Sequence, residues 1–244
     1  MFGASKLKYL IAGLGLIGFA ATVSPAGAAT VQLTVVDTGT TVGTNTKLFR
    51  ADIGPSGLSS VNRITLTDDG TIVGGANGIF SGFDLDAFFI DLDGNFATAG
   101  DRISPLGAGS TIAFTAGTTR QPSQVQEQPT VAHPGPVFGT SNATTLQLGT
   151  ATLATFDAVA IANVFQASGF FTFGDGGELI WTFSDLFLAA NPNMTLFFGE
   201  VAGQAGENLL VSVSSVPLPG AVWLFLSAIA VLFGLSRRRN TVAA

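Results

Sequence analysis

Five aspartates crowd into the stretch "FDLDAFFIDLDGNFATAGD", Phe83 to Asp101: Asp84, Asp86, Asp91, Asp93 and Asp101. Carboxylates, carbonyls and Asn side chains are the oxygen donors that Ca²⁺ takes. An EF-hand is excluded, because that loop needs its glycine at the sixth position. With Gly94 placed there, the first ligand would be Phe89 and the twelfth Gly100. The stretch reads instead as a strand followed by a turn at Asp93-Gly94-Asn95. Side chains alternate between the two faces of a strand. Asp84 and Asp86 therefore share one face, and Asp91 and Asp93 the other, unless a bulge or bend brings them together. Two readings follow: solvated strand edges beside a turn, or a calcium site built from part of the cluster.

Other chemistry is sparse. His133 is the sole histidine and sits beside Pro134, which suits a solvated loop residue, and the chain has no cysteine. A Cys–His nucleophile pair and a His-rich zinc site are thereby excluded. Two carboxylates could hydrolyse a glycoside, but the acidic residues lie mostly beside turns, where solvation explains them. We therefore expect no enzyme and, calcium apart, no cofactor. "GLGLIG", Gly13 to Gly18, matches the dinucleotide fingerprint, with Asp37 about twenty residues on. That fingerprint needs an unbroken helix after its glycines, whereas here Pro25 and Gly27 interrupt the run.

The elements that must position these residues are strands. "VQLTVV" (Val31–Val36), "RITLT" (Arg63–Thr67), "TIAFT" (Thr111–Thr115), "GFFTFG" (Gly169–Gly174), "ELIWTF" (Glu178–Phe183), "TLFFGE" (Thr195–Glu200) and "NLLVSV" (Asn208–Val213) alternate or run apolar. Asp69-Gly70, Asp93-Gly94 and "GDGG" (Gly174–Gly177) punctuate them. The last is expected to turn a hairpin between "GFFTF" and "ELIWTF". "SDLFLAANP" (Ser184–Pro192) is expected to form one or two helical turns, capped by Ser184 and stopped by Pro192. Residues 121–136, rich in Gln and Pro, read as a long exposed loop. The expectation is a mainly β chain with one domain, an antiparallel β-sandwich or jelly roll, over residues 29–215. The chain's 21 phenylalanines would fill its core, joined by Trp181 from an alternating strand.

Both ends differ from this middle. Lys6 and Lys8 precede an uncharged apolar run from Tyr9 to Val23, then Ser24-Pro25 and the small residues Ala26-Gly27-Ala28. That order reads as a signal peptide over residues 1–28, cut by signal peptidase after Ala28 or Ala29. At the other end, Leu218 to Leu235 gives eighteen residues without a charge. As a helix they would span roughly 27 Å, close to a bilayer's hydrocarbon core. Arg237, Arg238 and Arg239 follow as a stop-transfer cluster held on the cytoplasmic side. The signal helix and this transmembrane helix would flank the β domain.

These end segments hold half of the ten basic residues but none of the sixteen acidic ones, so the middle carries a net charge of −11. Such a field repels nucleic acid and suits an extracytoplasmic surface. Without cysteine, no disulfide framework holds the exported fold, so a hydrophobic core must.

The tail has three ordered parts: "VPLPG" (Val216, Pro217, Leu218, Pro219, Gly220), the apolar helix, and the arginines before a short tail at 240–244. In that order it resembles the PEP-CTERM sorting signal, and most closely its VPLPA variant. Gly220 stands where the variant has Ala, and "NTVAA" follows the last arginine. The resemblance covers about 30 of the 244 residues. It implies recognition of Val216–Gly220 by an exosortase, a membrane enzyme with a cysteine nucleophile. It also implies transit through the cytoplasmic membrane of a Gram-negative bacterium to the cell surface or an exopolysaccharide matrix. The function expected is thus that of an exported, non-enzymatic surface or biofilm-matrix protein. The alternative is a lectin-like module that binds carbohydrate or calcium and carries the same tail.

Overall fold

The computed structural model describes residues 28–71, 77–120, 135–161, 166–202 and 208–215. The signal segment with Ala26, the motif Val216–Gly220, Arg237–Arg239, His133 and most of the 121–136 loop lie outside the described residues. No helix among the described residues is long and apolar enough to cross a membrane.

Among the described residues, fifteen strands run in chain order. They are β1 (Ala29–Leu33), β2 (Val35–Val42), β3 (Thr46–Asp52), β4 (Ser60–Asp68), β5 (Asp84–Asp91), β6 (Arg102–Ile103), β7 (Thr111–Thr115) and β8 (Thr140–Asn142). β9 (Thr145–Leu146), β10 (Val159–Ile161), β11 (Gln166–Ser168), β12 (Phe171–Thr172), β13 (Glu178–Phe187), β14 (Thr195–Val201) and β15 (Leu209–Ser215) complete them. One sheet has the order β1-β15-β4-β13-β7, the other β12-β5-β14-β3-β2 with β6 also on β5. Every pairing within these two sheets is antiparallel. Two short ribbons, β8-β9 and β10-β11, complete the pairing. The mainly β antiparallel expectation stands.

The two sheets pack through one apolar core, as a sandwich does. Leu66, Leu179, Trp181 and Val211 enter it from the first sheet, and Phe88, Ile90, Leu196 and Phe198 from the second. Trp181 is fully buried, edge-on to Phe88 of the facing sheet at 5.5 Å, and its indole N–H donates to Ser110 Oγ at 3.1 Å. Burying so large a ring while its polar tip finds a partner makes it the centre of the core. The phenylalanines also build two clusters outside this layer. One joins Phe80, Phe138 and Phe170. The other sets Leu48, Phe89 and Phe197 on the outer face of the second sheet, under Phe96 and Phe156.

Three local expectations need correction. The "VQLTVV" run is two strands, because the chain passes at Thr34 from the first sheet to the second. "GDGG" does not close a hairpin, since β12 pairs with β5 while β13 pairs with β4 and β7 in the opposite sheet. Gly174 and Gly176 have positive φ, and the Asp175 backbone bridges to Thr118 instead. Glycine tolerates those dihedrals without steric cost, so the turn can carry the chain between layers. In Ser184–Pro192, β13 continues to Phe187 through a bulge, pairing Leu186 with Val61 and Phe187 with Ser60. Only Leu188–Ala190 forms a 3₁₀ turn, and Ser184 caps nothing there.

Candidate metal centre

A bulge decides where the aspartates point. Phe88 and Phe89 pair with Phe198 and Phe197, but Leu85 pairs with Glu200, so β5 holds one residue more than β14 between these points. Leu85, Phe88 and Ile90 consequently all enter the core. Asp84, Asp86 and Asp91 are thereby set on the opposite, outer face, where a regular strand would have divided them. They still do not converge, because Asp86 and Asp91 stand five residue steps apart along the strand, roughly 16 Å.

At the near end, the carboxylates are structural ties. The Thr172 hydroxyl donates to Asp84 across the β12–β5 pair. Asp86 is fully buried and accepts from the Thr46 hydroxyl at 2.5 Å and from the amides of Asp157 and Ala158 at 3.1 and 3.2 Å. It pins the 157–158 segment onto the outer face. Burial raises its pKa to about 6, against the lowering effect of those hydrogen bonds.

That shift has a definite sign in stability. The folded state holds the proton up to about pH 6, whereas an unfolded aspartate loses it near 3.9. The associated stability is therefore complete below about pH 4 and is lost as pH rises to 6. At about 1.4 kcal/mol per pH unit, the loss is roughly 3 kcal/mol. Thermal unfolding at pH 4.5 and pH 7.5 is expected to show wild type losing roughly 2 kcal/mol of it relative to Asp86→Asn. Parallel pH dependence in the two proteins would contradict it.

At the far end, Asp91, Asp93 and Asp101 do come together, with one carboxylate oxygen from each lying within 4.8 Å of the others. Asp91 ends the strand and is fully buried, Asp93 is exposed in the turn, and Asp101 precedes β6. The turn is tightly specified. The Asn95 amide donates to Asp91 Oδ1 at 3.0 Å and Asp93 Oδ1 at 2.7 Å, and the Asp93 amide donates to Asp101 Oδ2 at 3.2 Å. The Thr98 hydroxyl reaches both Asp93 oxygens at 3.2 Å. Gly94 has φ +74°, and a Cβ there would stand 2.7 Å from the Asn193 carbonyl oxygen. Only glycine fits that close approach.

Two oxygens in this cluster, Asp91 Oδ2 and Asp101 Oδ1, are buried and receive no hydrogen bond. Arg102 Nε lies 3.8 Å from Asp91 Oδ2, too far for a hydrogen bond. Its guanidinium is committed elsewhere, donating to the Phe96 carbonyl and lying 4.3 Å over Phe89 and 5.0 Å over Phe96. Burial first, then the carboxyl of Asp93 and the charge of Asp101, push Asp91 above the usual carboxylate range. The Asn95 amide chiefly holds Asp93 below it.

Sequence reasoning named all five aspartates, and the fold divides them two and three. It pointed to Asn95 through the Asp-Gly-Asn turn but missed Arg102 and Thr98, which carry no local sign of the cluster. Beside Asp93 a polar cleft of about 270 Å³ is lined by Arg50, Asp52, Gly94, Asn193 and Thr195. No protein-family model, no curated protein and no solved structure matches this chain.

Proposed function

We propose that the chain is an exported, non-enzymatic surface or matrix protein, delivered through its C-terminal tail by an exosortase-like enzyme and associated with exopolysaccharide. The observation that carries the reading is the ordered tail itself: Val216–Gly220, then an uncharged apolar run, then Arg237–Arg239. In this reading a signal helix and a transmembrane helix flank the β domain. The strand register supports it, because Ala29, the first residue of β1, pairs with Ser215, the last of β15. Signal cleavage after Ala28 and processing beyond Ser215 would both leave every strand pair of the sandwich intact. The roles of the acidic groups agree. Asp68 accepts from the amides of Gly70, Phe83 and Gly176, Asp86 pins a loop, and Asp175 pairs with Arg120. Groups so engaged hold the fold rather than await a substrate.

The lectin-like alternative would gain from an exposed aromatic platform beside carboxylates, but Trp181 is buried in the core. N-terminal sequencing of the protein from the envelope fraction is expected to return Ala29 or Thr30. Recovery of Met1 would contradict the exported reading.

A further inference from the structure

We propose that Asp91, Asp93 and Asp101 form a calcium site that staples the 91–102 loop to the outer face of the second sheet. The observation that separates this cluster from an ordinary acidic turn is Asp91. It is wholly buried, and one of its oxygens and one of Asp101's receive no hydrogen bond. Leaving a buried acceptor unsatisfied costs the full desolvation penalty of the group. Two such oxygens in one cluster, beside a third carboxylate, describe a site built for a cation.

Geometry and charge select the ion. Oxygens within 4.8 Å of one another can share one sphere of the roughly 2.3–2.6 Å radius that Ca²⁺ requires. All three donors are carboxylates, hard ligands that favour Ca²⁺ over zinc or copper. Three negative charges facing one arginine leave a local charge of −2, which a divalent cation neutralises. The exposed side at Asp93 leaves room for the waters that complete six to eight ligands. Of the five aspartates in Phe83–Asp101, Asp84 and Asp86 take no part, since hydroxyl and amide donors at the other end of β5 already engage them.

Occupancy would fix more than a turn. Asp91 ends β5, Asp93 lies in the turn that follows and Asp101 immediately precedes β6, so one ion closes the loop at its base. Between them, Phe96 covers Phe89 and Phe197 at 6.0 and 5.4 Å. Calcium would thus hold an aromatic lid over the outer cluster. The proposal deepens the exported reading only in that extracytoplasmic fluid supplies the ion. Binding by purified protein is independent of sorting, so either can fail alone.

The test is the thermal unfolding of the full chain, purified in mild detergent, in calcium chloride, in magnesium chloride and in chelator, with titration calorimetry of the same samples. At a hundredfold excess over Kd, calcium is expected to raise the midpoint by about 5–10 °C. Magnesium should do less, because it demands a smaller octahedral shell. Asp91→Asn and Asp93→Asn should each abolish the shift. The second substitution lies in the exposed turn, so it keeps the test valid if the buried one fails to fold. Equal midpoints in calcium and chelator without binding heat would overturn the proposal. So would a calcium shift that survives in Asp93→Asn.

Discussion

Arg120→Met is expected to destabilise the folded domain by about 3–5 kcal/mol, the cost of leaving a buried carboxylate without its counter-charge. Arg120 and Asp175 are only 6% and 11% exposed at their side chains, and meet through Nη2 at 2.7 Å and Nε at 2.8 and 3.0 Å. Such forked pairs are the strong class of charge-assisted hydrogen bond. The arginine's backbone amide donates to Ser81 Oγ at 2.8 Å, and its carbonyl accepts from Gly78. Asp175 in turn bridges by its backbone to Thr118, one step from the Gly176 amide that Asp68 holds. The ion pair therefore joins two segments whose backbones are themselves tied to Gly78, Ser81 and Asp68.

The double substitution Arg120→Met with Asp175→Leu should recover most of the lost stability, because no lone charge remains buried. Calorimetric unfolding of the two single variants and the double variant decides it. Simple additivity of the two single losses would mean that the pair is not coupled.

Neither member of this pair was legible in the sequence. They lie 55 residues apart, and nothing in the local pattern of either announces a partner. The strands were legible because each has one face in the core, so "TIAFT" and "ELIWTF" alternate as their burial does. "KLFRAD" in β3 was not picked out, since Leu48 and Arg50 point to an outer face that is itself part apolar. Alternation names the face of a strand but not the sheet to which it belongs, hence the hairpin wrongly expected at "GDGG". The aspartates show a similar limit. Composition located the cluster, but one extra residue in β5 opposite Phe198–Glu200 removed the expected division of faces. A bulge is set by the partner strand, and Phe88-Phe89 carries no local sign of it.

The second large effect is expected in the tail. Spanning a membrane depends on the apolar run and its arginine stop, so a plain anchor would be indifferent to the prolines of Val216–Gly220. A sorting signal would not. Replacing Pro217 and Pro219 with alanine should leave insertion intact and abolish processing, so that nearly all of the protein stays full length in the cytoplasmic membrane. Replacing Arg237, Arg238 and Arg239 should act differently, disturbing stop-transfer and orientation while leaving the pentapeptide readable.

The deciding measurement is the intact mass of tagged wild type and of Pro217→Ala with Pro219→Ala, each recovered from membrane and surface fractions of a host with its own sorting enzyme. The account predicts wild type at the surface, lighter by the helix and "SRRRNTVAA", and the double variant uncut in the cytoplasmic membrane. Wild type and variant both found uncut in that membrane would contradict it.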